Sequence, residues 1–141
     1  MSRPTWGYIW MQFARTIAER SVDPKCQVGC AVVSDDNTQV FAVGYNGDHA
    51  GGPNKRDSLE VGRAGFIHAE INALIKCDYN STKTKIMYVT LSPCRMCAKA
   101  IINAGISEVV YDREYAPDLS GLTLLENAGI RVRKFEESGN S

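Results

Sequence analysis

Between residues 6 and 20 the apolar side chains Tyr8, Ile9, Met11, Phe13, Ala14, Ile17 and Ala18 return every three or four positions, the period of an amphipathic helix. Pro24 and the polar cluster at 21–27 end that pattern. A continuous apolar run at 28–33, turn residues at 35–37 and a second run at 39–44 predict two strands paired as an antiparallel hairpin. A glycine-rich stretch at 44–55 follows, longer than a simple connection needs, as mobile or functional loops are. Residues 66–76, with Ile67, Ala69, Ile71, Ala73, Leu74 and Ile75, predict a second helix that carries His68 and Glu70 in its first turn. The remaining pattern reads as a buried strand at 85–91, a helix at 94–104 stopped by Gly105, a strand at 107–111, a helix at 120–128 and a strand at 130–135. Alternation of strand and helix from 85 onward predicts parallel strands joined by right-handed crossovers, hence an α/β fold.

Length changes the picture only by limiting it. At 141 residues the chain is expected to form one domain over 1–141 around one core. Sixteen basic and sixteen acidic side chains cancel, so no global field favours a long nucleic acid. No apolar run approaches the roughly 18 to 20 residues that span a bilayer. The segment at 1–6 lacks the layout of a secretory signal, which makes a cytoplasmic location the expectation. Five cysteines, two of them in a C-x-x-C pair, do not form a disulfide framework. Cys26, Cys30 and Cys77 are expected to act as small buried apolar groups.

The chemistry concentrates in two short motifs. His68-Ala69-Glu70 is followed, after an interval of twenty-two residues, by Pro93-Cys94-Arg95-Met96-Cys97. One imidazole and two thiolates make three zinc ligands, and a catalytic zinc keeps its fourth position open. Glu70 is then free to stand beside the metal, where a carboxylate takes a proton from water and gives it to a leaving group. Cys94 and Cys97 fall at a helix start, where the dipole stabilises thiolates. The start of the 66–76 helix is likewise expected to favour a deprotonated Glu70. A redox C-x-x-C needs neither His68 nor Glu70, and a structural zinc site would need a second cysteine pair that the sequence lacks. The zinc reading requires that the two helix starts face each other. Asn46, in Gly44-Tyr45-Asn46-Gly47, has a plain turn reading, and His49 reads as a loop residue.

At these residues the chain resembles the cytidine deaminase superfamily, whose metal signature joins H-x-E to P-C-x-x-C. Within it the chain is most similar to the deoxycytidylate (dCMP) deaminases. Arg3-Pro4-Thr5-Trp6, Arg20-Ser21-x-Asp23-Pro24-x-x-Gln27-Val28-Gly29, Gly44-Tyr45-Asn46-Gly47, His68-Ala69-Glu70-x-Asn72-Ala73 and Gly129-Ile130-x-Val132-Arg133 carry that resemblance along nearly the whole chain. It implies a three-layer α/β/α domain with a five-stranded mixed sheet and zinc-dependent conversion of dCMP to dUMP and ammonia. It further implies that His68, Cys94 and Cys97 hold zinc, that Glu70 shuttles the proton and that Asn46 holds the sugar hydroxyl. The backbone of Ala69 would meet the base carbonyl, and the carbonyl of Ser92 the exocyclic amine. Ser21, Lys25 and Tyr115 are the implied phosphate contacts, with Arg20 and Arg113 as weaker candidates.

The resemblance also implies a homo-oligomer, with a hexamer favoured, and regulation by dCTP and dTTP with magnesium. The chain departs from the family in two places. Lys25 stands where some relatives carry Arg, which replaces a bidentate fork by a point charge. The stretch 51–66 contains no Cys or His, so a further zinc site known in some relatives is not expected. Three alternatives share the metal motif: a deaminase of free (deoxy)cytidine, an editing deaminase acting on RNA or single-stranded DNA, and a non-enzymatic binding module built on structural zinc.

Overall fold

The run Lys85–Leu91 is buried at its first six positions because both faces of the strand are covered. The computed structural model describes residues 2–137. In chain order the elements are α1 (Trp6–Ala18), β1 (Gly29–Ser34), β2 (Val40–Tyr45), α2 (Ala69–Ile75), β3 (Lys85–Leu91), α3 (Arg95–Asn103), β4 (Ile106–Arg113), α4 (Ser120–Asn127) and β5 (Arg131–Lys134). The strands form one sheet in the order β2-β1-β3-β4-β5. β1 is antiparallel to both β2 and β3, while β3, β4 and β5 run parallel, giving the expected mixed sheet.

Alternation along the strands sorts side chains between two cores. Val33, Ile86, Tyr88 and Val110 pack with Met11 and Ala14 of α1. Val32, Met87, Val89 and Val109 pack on the opposite face with Ala69 and Ala73 of α2, Ala98 and Ile101 of α3, and Leu122 and Leu125 of α4. The result is the expected three layers, with one helix on one face and three on the other.

Close packing sets where the catalytic helices start. A Cβ on Gly44 of β2 would collide with the Ala69 carbonyl oxygen and lie 2.6 Å from the Ala73 amide nitrogen, so only glycine lets α2 sit this near the sheet. Gly121 plays the same part for α4, which rests on the backbone of Pro93 and Cys94. The second helix begins at Ala69, three residues later than the apolar period predicted. Ile67 is held extended instead, exchanging backbone hydrogen bonds with Gly47 at 2.9 and 3.1 Å. Cys30 is buried as expected, whereas Cys26 and Cys77 are only partly covered. Among the described residues no helix is long and apolar enough to cross a membrane.

Candidate active site

His68 is the extended residue that caps α2, and its side chain makes no capping bond, which leaves the imidazole free to turn toward α3. Cys94 holds the corresponding position before α3, its Sγ accepting the Cys97 amide. His68 Nδ1 lies 3.2 Å from Cys97 Sγ and 3.5 Å from Cys94 Sγ. A tetrahedral zinc with bonds of about 2.0–2.1 Å to nitrogen and 2.3 Å to sulfur separates such ligand atoms by roughly 3.5 Å. The donor set and its spacing therefore fit zinc, and among the described residues no fourth His, Cys, Asp or Glu joins the group. Three protein ligands leave the coordination position that a catalytic site needs and a structural one fills.

Electrostatics distinguish the three sulfur and nitrogen donors from the carboxylate beside them. The hydrogen bond from Cys97, with a second from His68, holds the Cys94 thiol down at about 4. Cys97 moves the opposite way, raised by its bond to Cys94 and by burial. His68 is raised, chiefly by its bond to Cys94. Glu70 is 4% exposed, and burial pushes its carboxyl up to about 7 against the opposing pull of His68 and a hydrogen bond to Cys97. The helix start acts in the expected direction, its backbone hydrogen bond lowering the Glu70 carboxyl, while desolvation opposes it and is the larger effect. A carboxyl near neutrality is suited to both accepting and releasing a proton.

One cavity of about 720 Å³ is lined by His68, Ala69, Glu70 and Cys94 together with Ser92, Asn46, Lys25 and Tyr115. That volume lies in the range of small-molecule sites. Cys97 sits buried behind this surface. Ser21 also lies behind it: the hydroxyl is buried, donates to the Asn46 carbonyl at 2.9 Å and accepts from the Asp23 amide at 3.3 Å. Asn46 is more than a turn residue. Its Oδ1 accepts the Val28 amide at 2.8 Å, and its Nδ2 donates to the Cys26 carbonyl at 2.8 Å. The Tyr115 amide donates to Ser92 Oγ at 2.7 Å, tying its loop to the segment before Cys94. Arg20 instead lies over the Tyr45 ring, and Arg113 lines a separate, smaller cavity.

Three residues at this site escaped the sequence reading in their roles. Asn72 donates from Nδ2 to the Tyr45 carbonyl at 2.9 Å, fastening α2 to the Gly-Tyr-Asn-Gly loop. Asp23 and Arg56 both line the cavity and form an ion pair whose side chains are 3% and 8% exposed. Arg56 Nη1 reaches the two Asp23 oxygens at 2.7 and 2.8 Å. A pair separated by thirty-three positions leaves no periodic trace in the sequence.

A three-ligand zinc site with a buried glutamate, entered from the loops of an α/β/α sheet, defines a hydrolytic metalloenzyme centre of the deaminase type. The family model of the cytidine and deoxycytidylate deaminase zinc-binding region matches residues 4–113, and the chain belongs to that family. Within it, the chain is 36% identical to a deoxycytidylate deaminase of Saccharomyces cerevisiae, over 96% of this chain and 46% of that protein. It is also 36% identical to the deoxycytidylate deaminase of Homo sapiens, over 92% of this chain and 79% of that one. Among solved structures, the dCMP deaminase of cyanophage S-TIM5 in complex with dCMP and dUMP superposes with a TM-score of 0.80 at 30% identity, covering 96% of this chain and all of that one. The chain thus spans less than half the length of the yeast relative and the full length of the phage structure.

Proposed function

We propose that this protein catalyses hydrolytic deamination of dCMP to dUMP and ammonia. The observation that carries the proposal is one cavity in which buried Glu70, His68 and Cys94, backed by Cys97, share a lining with Asn46 and Lys25, so that a base and a phosphorylated sugar have separate partners. The phage relative solved with dCMP and dUMP supports the same substrate and product. Zinc, when bound, supplies a Lewis acid that brings the pKa of water toward neutrality.

Glu70 then moves the protons. It takes one from the attacking water and delivers it to the ring nitrogen beside the amine-bearing carbon. It next carries the second to the amine, which leaves as ammonia while the carbon–oxygen bond remains. The Ala69 amide holds the base carbonyl, the Ser92 carbonyl orients the exocyclic amine and Asn46 fixes the sugar hydroxyl. Lys25 and Tyr115 take the phosphate. Ser21, whose hydroxyl is committed to the Asn46 carbonyl, contributes by bracing that residue.

The same reading extends to assembly and control. Residues 1–141 act as one domain in the cytoplasm, associating with copies of itself, a hexamer being favoured. The exposed apolar side chains Ile75, Tyr79 and Met96 support such association. The proposal includes regulation by dCTP and dTTP with magnesium, as the resemblance to the dCMP deaminases implies. Steady-state kinetics on dCMP, CMP and deoxycytidine, each with and without dCTP and dTTP, test the whole reading. Preferential conversion of dCMP is expected; equal conversion of deoxycytidine would reassign the enzyme to free nucleosides.

A further inference from the structure

Two features of the cavity wall remain outside the proposed reaction: a buried carboxylate, Asp23, and the loop at 57–64. Arg56 connects them. The Asp23 carboxylate accepts both contacts from Arg56 Nη1, the Lys25 amide at 2.9 Å and the Asn46 side-chain amide at 3.4 Å. It is therefore the point where the segments bearing Lys25 and Asn46 meet. On its other edge the guanidinium donates from Nε to the Ser58 carbonyl at 2.9 Å and from Nη2 to the Glu60 carbonyl at 3.4 Å. The Asp57 amide closes the loop on the Ala64 carbonyl at 2.7 Å. The loop thus wraps its own carbonyls around the cation that grips Asp23.

Charge gives this arrangement a consequence for the substrate. Asp23, Glu70 and Asp118 are the acidic groups lining the cavity, and Lys25, Arg56 and His68 are the basic ones, of which His68 belongs to the metal site. Asp23 stands two residues from Lys25, the cation that the proposed function assigns to the phosphate. Without Arg56 a buried, uncompensated carboxylate would face an incoming phosphate dianion and consume the field of Lys25. Such like-charge juxtaposition disfavours a ligand strongly.

We propose that Arg56 is a specificity-determining, positioning residue: by neutralising Asp23, the carboxylate that also accepts from the Asn46 side chain, it leaves Lys25 free to select the phosphorylated substrate. The proposal rests on the dCMP reading above. The test is kcat/KM for dCMP and for deoxycytidine in the zinc-loaded wild type, Arg56→Gln, Arg56→Lys and the Asp23→Asn/Arg56→Gln pair. Arg56→Gln should lower the dCMP-to-deoxycytidine ratio by about 10- to 100-fold, mostly through KM for dCMP. Arg56→Lys, which keeps the charge but not the contacts to the Ser58 and Glu60 carbonyls, should stay within about threefold of the wild-type ratio. The paired variant, neutral on both sides, should recover most of the ratio lost in Arg56→Gln and serves as the measurement if that single variant does not fold. A wild type that prefers dCMP, with Arg56→Gln and the pair lowering both substrates by one common factor, overturns this inference alone. A wild type indifferent to the phosphate overturns the substrate reading and this inference with it.

Discussion

The starts of α2 and α3 face the same cavity as the loops at 21–28, 46–66 and 115, yet the two walls are built differently. On the helical wall, His68 caps α2 with Glu70 two residues on, and Cys94 caps α3 with Cys97 three residues on. Their positions follow from local backbone geometry and from small residues, Gly44, Ala69 and Gly121, that let the helices approach. The loop wall has no such periodicity. Asp23, Asn46 and Arg56 come together through hydrogen bonds between segments 18 to 33 residues apart, some of them from side chains to backbone carbonyls and amides. On the function proposed above, the first wall carries the reaction and the second the choice of substrate. Damage to each should therefore have a different kinetic signature.

The largest expected effect breaks the helical wall alone. Glu70→Gln keeps the shape and the metal ligands, so one zinc per chain should remain by metal analysis while turnover of dCMP falls by roughly 10²–10⁴-fold, the span of general acid–base catalysis. Gly44→Ala acts on the same wall through packing. Its methyl must displace α2, and since a misplacement near 1 Å costs about 10²-fold, kcat should drop by that order with a lower melting temperature.

A third prediction concerns Glu70 in the chelator-treated protein. Its native carboxyl holds a proton more tightly than the unfolded chain does, with a value of about 7 against 4.5. The stability it contributes is complete below pH 4.5 and is lost as pH rises through 7. Denaturant unfolding should show the wild type losing on the order of 2 kcal/mol more than Glu70→Gln between those pH values. Equal losses would mean that Glu70 is not desolvated. The smallest effect belongs to the loop wall. Lys25→Ala should raise KM for dCMP about tenfold, leaving kcat and the kinetics on deoxycytidine nearly unchanged, as loss of one charge-assisted contact at an exposed position does.

The same contrast explains what could be read before folding. Element order, sheet type and the four metal-site residues are carried by short-range patterns: the apolar run Lys85–Leu91, the helical period of α1, and the H-x-E and C-x-x-C spacings. The start of α2 was misplaced because residues 66–68 share the apolar period of the helix, and only the pairing of Ile67 with Gly47 pulls them into extended form. Burial of Glu70 was equally hidden. A carboxylate at a helix start looks stabilised until the sheet and α3 close around it. Ser21 carried a family role as a phosphate contact, whereas its hydroxyl is turned to the Asn46 carbonyl. Arg56 had no local signal at all, since its function depends on a partner in another segment.

Division of labour between the walls is tested most directly where reaction and recognition are uncoupled. Zinc-loaded Glu70→Gln, titrated calorimetrically with dCMP and with deoxycytidine, reports recognition without turnover. An intact loop wall predicts that dCMP binds about 10- to 100-fold more tightly, the worth of a charge-assisted phosphate site. Equal affinities for the two ligands would contradict the assignment of substrate choice to the loop wall.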